Sequence, residues 1–285
     1  MEKIEDLIKS GNDLFEKEQY FEAISYYKKL LQKNISDPTK AEIWYKISLA
    51  FYFLGRYYNS LNSINAALTL DSNNVNYWLH KAELLQSNRF CCWDEAVESY
   101  KKALNLNSDN PDIWIKLGTL FESRNNHKEA IETYNKALEL HSNNPKILYC
   151  KGCSLNSILY EREKERKLVK LSDNISDEIN FLIEILNTYK KVVEQDPNNS
   201  DALYCIGVLY TKLQKYIEAL HYFDEALKFY SKENEKPTQI WYSKAEVLEK
   251  IGKSNEAVEL YDRYYAELKR DFEDFFEKRQ FKNNL

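Results

Sequence analysis

The chain has 285 residues, of which 44% are hydrophobic and 30% are charged, a balance typical of globular proteins that excludes an intrinsically disordered chain. Only 6 Gly and 5 Pro are present beside 22 Tyr, so turn residues are too few for an all-β fold. The 40 Lys and Arg and 45 Asp and Glu give a net charge of −5, which argues against a general nucleic-acid binder.

Nothing in the sequence predicts a membrane-spanning or secreted protein. No stretch approaches about 18 continuous apolar residues, and residues 1–6 mix charges without the apolar run of a signal peptide. The 5 Cys are an odd number in a long chain and do not form a disulfide framework. We therefore expect a reducing, cytoplasmic location.

Tryptophan recurs at a nearly constant interval along the chain. Trp44 and Trp78 are 34 residues apart, Trp78 and Trp114 are 36 apart, and another 34 residues lead to Leu148. Four residues after each such position comes a small residue, and the set is Gly11, Ser48, Ala82, Gly118, Gly152, Gly207 and Ala245. Self-similarity at this period predicts a stack of helical repeats.

A second pattern marks the other helix of each repeat. An Ala is followed four residues later by an aromatic residue, and the pairs are Ala23 and Tyr27, Ala96 and Tyr100, Ala130 and Tyr134, Ala219 and Phe223, and Ala257 and Tyr261. Small residues facing large ones let two antiparallel helices approach closely and interlock with the next pair. Because no single pair buries its own apolar face, we expect the pairs to stack.

With this pattern of Trp or Leu, a small residue, then Ala and an aromatic residue, the chain resembles the tetratricopeptide repeat (TPR) family. We assign residues 1–270 to a solenoid of seven repeats, near 4–40, 41–74, 75–110, 111–144, 145–199, 200–237 and 238–270, and residues 271–285 to a C-terminal helix extension. The resemblance implies an all-α fold, a right-handed α-solenoid of stacked antiparallel helix pairs. It also implies a concave surface lined by the first helix of each pair.

Two irregularities lie inside the array. The third repeat has two extra residues in its inter-helix turn, around 89–93. Gly152 and Gly207 are 55 residues apart, so the fifth repeat holds an insertion, about 156–178. Charge pairs three and four apart over 160–171 favour helix, and the turn residues 172–177 precede a second helix from about Asp177. We predict a helical hairpin that extends beyond the edge of the solenoid.

The fifth repeat also departs from the small-residue pattern. Ile185 and Val192 stand where Ala is usual. Larger residues should open the packing of the two helices, so we predict a bend or a soft joint between residues 145 and 199.

The last helix is predicted to begin near Ser254 and has no stop signal before Asn283. Its apolar residues step by four and three, at Tyr261, Tyr265, Leu268, Phe272 and Phe275, with Phe276 and Phe281 beyond. One interpretation is that this helix folds back to cap the last repeat. The other is a seam for self-association or for a partner helix.

Catalytic motifs are missing from the sequence, which contains no Gly-rich phosphate loop, no Gly-x-Ser-x-Gly elbow and no His-Glu-x-x-His. We expect a surface or groove position for each of the four His, which are His80, His127, His141 and His221.

Cys150 and Cys153 share a helix face, and Cys205 takes the place of Cys150 one repeat later. Three thiolates could begin a zinc or iron–sulfur site, but Cys is also a common small residue in helix packing. We predict no enzyme, no cofactor and no metal.

The resemblance implies a partner-binding groove along the first helices, at positions 2, 5, 9 and 12 counted with Trp as position 4. The candidate residues are Asn12, Phe15, Tyr45, Leu49, Tyr52, Leu79, Glu83, Ile115, Thr119, Tyr149, Tyr204 and Tyr242. Tyr side chains provide rigid contact area with a polar tip, which suits a binding surface. The alternative is that these aromatic residues only pack between neighbouring first helices.

One sub-family can be tested on the same positions. Co-chaperone TPR domains hold a C-terminal carboxylate with five polar or basic side chains. Asn12 matches one of these, whereas Ile8, Lys46, Asn76 and His80 stand where the other four are expected. The charge-assisted donors needed for carboxylate capture are therefore missing.

The function predicted from the sequence is a non-catalytic scaffold that binds a protein or peptide segment in its groove, with no nucleic acid or membrane as partner. Two alternatives stay open. The chain could self-assemble into a homo-oligomer through its C-terminal helix, or the inserted hairpin could make the functional contact.

Overall fold

The computed structural model describes residues 4–87, 92–169, 175–230 and 237–283. These residues form 14 α-helices, and no strand occurs among them. In chain order the helices are α1 (Ile4–Glu16), α2 (Tyr20–Leu31), α3 (Asp37–Phe53), α4 (Tyr57–Leu70), α5 (Val75–Gln86), α6 (Trp93–Leu106), α7 (Pro111–Glu122), α8 (His127–Leu140), α9 (Pro145–Val169), α10 (Ile175–Gln195), α11 (Ser200–Lys212), α12 (Tyr216–Phe229), α13 (Thr238–Lys250) and α14 (Ser254–Asn283). The predicted all-α fold is confirmed.

Residues 1–133 form one compact unit, in which each helix from α1 to α7 packs against the helices next to it along the chain. Its core consists of successive clusters that each take side chains from three consecutive helices. Leu7, Tyr27 and Ile47 belong to the first of these clusters. The next clusters join α3 to α5 and then α5 to α7. Burial shared between neighbouring pairs is what makes stacking obligatory.

Residues 134–285 form a second compact unit, in which α9 to α14 again pack in chain order. The core near the C-terminus contains Ala245 and Leu248 of α13 and Ala257 of α14, with Leu220 of α12 packed against them. Both units therefore have the stacked helix pairs predicted for an α-solenoid.

Close contacts between glycines and aromatic rings hold the two helices of a pair together. A Cβ atom added at Gly207 would lie 2.6 Å from Cδ1 of Phe223, and one added at Gly152 would lie 2.7 Å from Cζ of Tyr189. Only a residue without a side chain fits at these distances. Tyr189 therefore takes the aromatic position of the interrupted fifth repeat, where the sequence has no Ala four residues earlier.

The insertion lengthens both helices of the fifth repeat, α9 to 25 residues and α10 to 21. The predicted helical hairpin is confirmed, and α10 begins two residues before the expected start at Asp177. The two helices are joined by an ion pair between Arg166 and Glu178 and by the guanidinium of Arg162, which lies 4.2 Å from the ring centroid of Phe181. Residues 172–174 of the predicted turn lie outside the described residues, as do 88–91 of the third-repeat turn.

The recurring Trp residues fix the turns that connect one repeat to the next. Nε1 of Trp78 donates a hydrogen bond of 2.8 Å to the backbone oxygen of Ser72, and Trp114 makes the same bond of 2.8 Å to Ser108. The side chain of Asn74 caps α5 by accepting a bond from the backbone of Asn76 at 3.0 Å. The Asn74 bond satisfies a backbone donor that the helix start would leave unpaired, and the Trp bonds tie each first helix to the turn before it.

The last helix, α14, is a single helix of 30 residues, as predicted. Its first part packs on α13, where Ala257 is buried. Further along, Tyr265 is 59% exposed and Leu268 is 42% exposed. The start of α14 thus pairs with α13 as the second helix of the last repeat, while Tyr265 and Leu268 further along face solvent. The side chains of Phe275, Phe276 and Phe281 lie outside the described residues.

No helix in the described ranges combines the length and apolarity that a membrane crossing requires.

Candidate functional site

A cleft of about 580 Å³ lies in the first unit, bordered by α1, α3 and the start of α5. We call it the N-terminal cleft. Its lining residues are Asn12, Phe15, Glu16, Tyr27, Pro38, Glu42, Tyr45, Lys46, Leu49, Asp71, Asn74, Asn76 and Tyr77. Four of the predicted groove residues, Asn12, Phe15, Tyr45 and Leu49, are therefore brought together here.

Hydrogen bonds to Asn12 join three helices at one side of the N-terminal cleft. The hydroxyl of Tyr27 on α2 donates to Oδ1 of Asn12 on α1 at 2.9 Å, and Nζ of Lys46 on α3 donates to the same oxygen at 3.0 Å. The ammonium group of Lys46 also lies 3.9 Å from the carboxylate of Glu42. The only cation that lines the cleft within the described residues is thus engaged by neighbouring side chains.

Aromatic and aliphatic side chains form the apolar surface of the cleft. The ring centroids of Tyr45 and Tyr77 are 5.0 Å apart. Phe15 makes an edge contact with Tyr20 at 5.3 Å between centroids, and Leu49 is half-buried on α3. Such a wall offers large, rigid contact area with little loss of side-chain freedom.

Three carboxylates make the N-terminal cleft negative. Burial, followed by the charges of Glu42 and Glu16, raises the pKa of Tyr27 to about 12. Burial, followed by Asp71 and Glu42, raises the pKa of Tyr77 to about 12. Both hydroxyls therefore stay protonated at neutral pH, in the field of acids that come from α1, α3 and the turn after α4.

Tyr52 was predicted for the groove but does not line this cleft. It is 40% exposed, and its ring makes edge contacts with Phe53, Tyr57 and His80 at centroid distances of 5.6, 5.6 and 5.9 Å. Part of its ring therefore packs at the end of α3, and the rest is exposed outside the cleft.

The expectation of a surface or groove position is wrong for His80, which is 6% exposed. Its Nε2 lies 2.9 Å from Oγ of Ser48 and 3.5 Å from Oγ of Ser60. The two serines also bond each other, because Oγ of Ser48 donates to the backbone oxygen of Ser60 at 2.8 Å. Burial lowers the pKa of His80 to about 4, with the charge of Glu83 acting in the opposite direction. This imidazole is thus a neutral part of the core.

The remaining candidates of the first unit lie outside the N-terminal cleft. Glu83 forms an ion pair with Lys116, and Leu79 packs against the core cluster of α5 to α7. Ile115 is half-buried. Thr119 lines a separate cleft of about 600 Å³ near Trp93.

In the second unit the predicted groove tyrosines are engaged by their neighbours. The hydroxyl of Tyr204 lies 3.3 Å from Oγ of Ser243 on the next first helix. The ring of Tyr149 makes an edge contact with Tyr189 at 6.0 Å, and burial raises the pKa of Tyr149 above its usual range. Tyr242 packs on Tyr264 at 5.1 Å between centroids. Of these contacts, only that of Tyr204 with Ser243 joins neighbouring first helices, as the alternative interpretation requires; Tyr149 and Tyr242 pack on the second helix of their own repeat.

Two cysteines of the second unit, Cys153 and Cys205, lie near the hydroxyl of Tyr189. This hydroxyl donates to Sγ of Cys153 at 3.7 Å. Burial raises the pKa of Cys205 to about 12, although a hydrogen bond with Tyr189 opposes the shift. A metal ion bound by cysteines requires the thiolate form, which a raised pKa disfavours. In the described part of the chain, no group of three or more His, Cys, Asp or Glu side chains is placed to hold a metal ion.

Comparison with known families agrees with this repeat architecture. Models described as tetratricopeptide repeat match residues 41–74, 111–144, 188–221 and 212–271, and one described as TPR repeat matches residues 93–123. Together the matches cover more than half of the chain. The chain belongs to the tetratricopeptide repeat family.

Individual TPR proteins resemble the chain at low identity. The TPR repeat-containing protein MJ1428 of Methanocaldococcus jannaschii is 23% identical over an alignment 297 residues long. This alignment covers 92% of this chain and 50% of that protein. The chain thus spans about half the length of this curated relative.

Two solved TPR structures are similar in fold. The C-terminal part of a TPR repeat-containing protein from Cytophaga hutchinsonii has a TM-score of 0.68 at 15% identity, covering 90% of this chain and 94% of that one. A tetratricopeptide repeat protein from Parabacteroides merdae has a TM-score of 0.57 at 14% identity, covering 92% of each chain. At these identities the likeness concerns the fold alone.

Several lining residues of the N-terminal cleft were not selected from the sequence. Glu42 stands two residues before Trp44 and therefore occupies position 2 of its repeat. Asn76 occupies the same position in the next repeat, so counting from Trp could have identified Glu42. Glu16 follows Phe15 directly and lies outside the counted positions. Asp71 opens the Asp-Ser-Asn turn that closes the second repeat, a kind of turn that recurs as Asp-Pro-Asn at 196–198, but this turn lies outside the counted groove positions.

Proposed function

We propose that this TPR chain is a non-catalytic scaffold that binds an extended segment of a partner protein in the N-terminal cleft. The observation that carries the proposal is the convergence of Asn12, Phe15, Tyr45 and Leu49 on one cleft of about 580 Å³. This volume lies within the range of about 300–1,000 Å³ that is typical of binding pockets. Aromatic rings with polar tips are the side chains enriched at the energetic centres of interfaces.

The N-terminal cleft presents candidate side chains that are already held in place. Tyr45 and Leu49 are half-buried and line it, and the ring of Tyr45 packs on Tyr77 and His80 at centroid distances of 5.0 and 5.7 Å. A partner would find contact surface already formed in the cleft, and preorganisation of this kind lowers the cost of binding.

Affinity capture from lysate of the source organism, followed by mass spectrometry, tests the proposal. The baits are the wild-type chain, a Tyr45→Ala/Leu49→Ala variant, and a matched Tyr58→Ala/Leu70→Ala variant. Tyr58 and Leu70 are 70% and 37% exposed on α4 and do not line the cleft. Circular dichroism and thermal melting verify that each bait is folded.

We expect a protein that is captured by the wild type and by the α4 variant but lost with the cleft variant. Equal capture by all three baits contradicts binding in the N-terminal cleft and directs the search to the inserted hairpin and to α14. The hairpin and α14 are then tested by deleting residues 160–178 and by substitutions on the exposed face of α14.

Self-assembly through α14 is a second candidate, favoured by a row of exposed apolar side chains. Val258, Tyr265 and Leu268 are 54%, 59% and 42% exposed, and they are spaced seven and three residues apart on one face of the helix. Light scattering at tens of micromolar tests this candidate. A dimer that a Tyr265→Ser/Leu268→Ser variant converts to monomer supports it, and a wild-type monomer counts against it.

A further inference from the structure

The charge of the N-terminal cleft indicates what kind of segment it takes. Glu16, Glu42 and Asp71 line it. Among the described residues, neither Glu16 nor Asp71 has a Lys or Arg within salt-bridge distance. The single lining cation, Lys46, is engaged by Asn12 and Glu42.

The carboxylates come from separate places in the chain and converge on one space. Glu16 ends α1, Glu42 lies in the second turn of α3, and Asp71 follows α4 directly. Asp71 is held in place because its Oδ1 accepts a hydrogen bond of 3.0 Å from the backbone of Asn73. Acids arranged around a concave surface focus a negative potential into it and attract positively charged groups.

The apolar wall suits the stem of a basic side chain. Long cationic side chains lay their methylene groups along apolar surface and keep the charged end near polar groups. The half-buried ring of Tyr45 offers such a surface, backed at 5.0 Å between centroids by the buried ring of Tyr77, and aromatic faces also attract ammonium and guanidinium groups. A segment rich in Asp or Glu, or one that ends in a free carboxylate, would meet like charge instead.

Building on the proposed function, we propose that the partner segment is basic and places a Lys or Arg side chain in the N-terminal cleft. The stem lies along Tyr45, and the charged end lies among Glu16, Glu42 and Asp71. Electrostatic complementarity of this kind contributes mainly to the specificity and the rate of association.

Panning of a phage-displayed library of random dodecapeptides on the full chain tests this inference. The selected peptides are synthesised with a fluorescent label and measured by anisotropy against the wild type, Tyr45→Ala, Glu16→Gln/Glu42→Gln and Glu95→Gln/Glu129→Gln. Glu95 and Glu129 are exposed on α6 and α8, so the last variant loses the same charge outside the cleft.

We expect enrichment of Lys and Arg among peptides whose binding requires Tyr45. The Glu16→Gln/Glu42→Gln variant should bind them about tenfold more weakly, which corresponds to about 1.4 kcal/mol. The Glu95→Gln/Glu129→Gln variant should bind like the wild type. Raising NaCl from about 50 mM to about 300 mM should weaken wild-type binding several-fold, because salt screens exposed charges.

The outcomes separate this inference from the proposed function. Peptides that depend on Tyr45 but lack Lys and Arg, or that bind the Glu16→Gln/Glu42→Gln variant as tightly as the wild type, overturn the basic-segment inference and leave groove binding intact. Failure to select any peptide whose binding depends on Tyr45 overturns both. Free polyamines competing as well as the peptides would show that the cleft recognises charge without a peptide chain, which also overturns the inference.

Discussion

Nζ of Lys46, in the second repeat, lies 3.0 Å from Oδ1 of Asn12 in the first. The same oxygen accepts a bond of 2.9 Å from the hydroxyl of Tyr27, a residue that is 1% exposed. Asn12 is thus both a wall of the N-terminal cleft and a joint between two repeats. This double use means that binding and stability have to be separated when the cleft is mutated.

We predict that Asn12→Ala and Lys46→Met have different effects on the free energy of unfolding. Asn12→Ala leaves the buried hydroxyl of Tyr27 without this acceptor and should cost about 1–3 kcal/mol. Lys46→Met keeps the apolar stem and removes a partly exposed charge, so it should cost less than about 1 kcal/mol. Urea titration of both variants measures the difference, and a larger loss for Lys46→Met contradicts the assignment.

We predict that the protein loses stability as the pH falls from about 6.5 to about 4, the interval between the usual pKa of His and the pKa of His80. Over this interval the unfolded chain binds a proton at His80 and the folded chain does not, so protons favour unfolding. The full effect is about 3 kcal/mol.

Thermal melts of His80→Gln and His221→Gln across this pH range test that prediction. His221 is exposed on α12, so its replacement provides the matched control. We expect a flatter pH dependence for His80→Gln alone. A pH dependence that is the same in both variants would assign the acid sensitivity to other groups.

We predict that Gly207→Ala destabilises the fold although Ala is the better helix former. A Cβ there would lie 2.6 Å from the ring of Phe223, and overpacking of this kind typically costs about 1–3 kcal/mol. The intrinsic helix gain of about 1 kcal/mol offsets only part of the cost. In a Phe223→Leu background the same substitution should cost less, and urea titrations in a double-mutant cycle measure this coupling. Additive effects of the two substitutions would contradict the close contact.

We predict a soft joint in the fifth repeat, residues 145–199. Ile185 and Val192 are fully buried at positions where the other repeats usually have Ala, and larger residues there should loosen the helix pair. Backbone amides of 145–199 should therefore exchange hydrogen faster than those of 111–144 and 200–230, as measured by hydrogen-exchange mass spectrometry. Equal protection across the three segments would show that the larger side chains pack without loss.

The sequence by itself determined the repeat period, the helix pairs and the position of small and large residues within them. These features are local, because the spacing of apolar residues follows the helix period and the short contact of Gly152 with Tyr189 recurs as Gly11 with Tyr27 and Gly207 with Phe223. The register could even be followed across the insertion in the fifth repeat. The long last helix could also be predicted, since its start at Ser254 and the lack of a stop signal are properties of the sequence alone.

Only the tertiary structure decided which first-helix residues line open space. Tyr45 and Tyr52 are both groove candidates by position and both pack on the ring of His80, yet Tyr45 lines the cleft and Tyr52 lies outside it. The burial of His80 depends on serines from two other helices, and the negative charge of the cleft depends on acids that meet only after folding. Periodicity specifies the face of a helix on which a residue lies, but the neighbouring helices decide how much of that face stays uncovered.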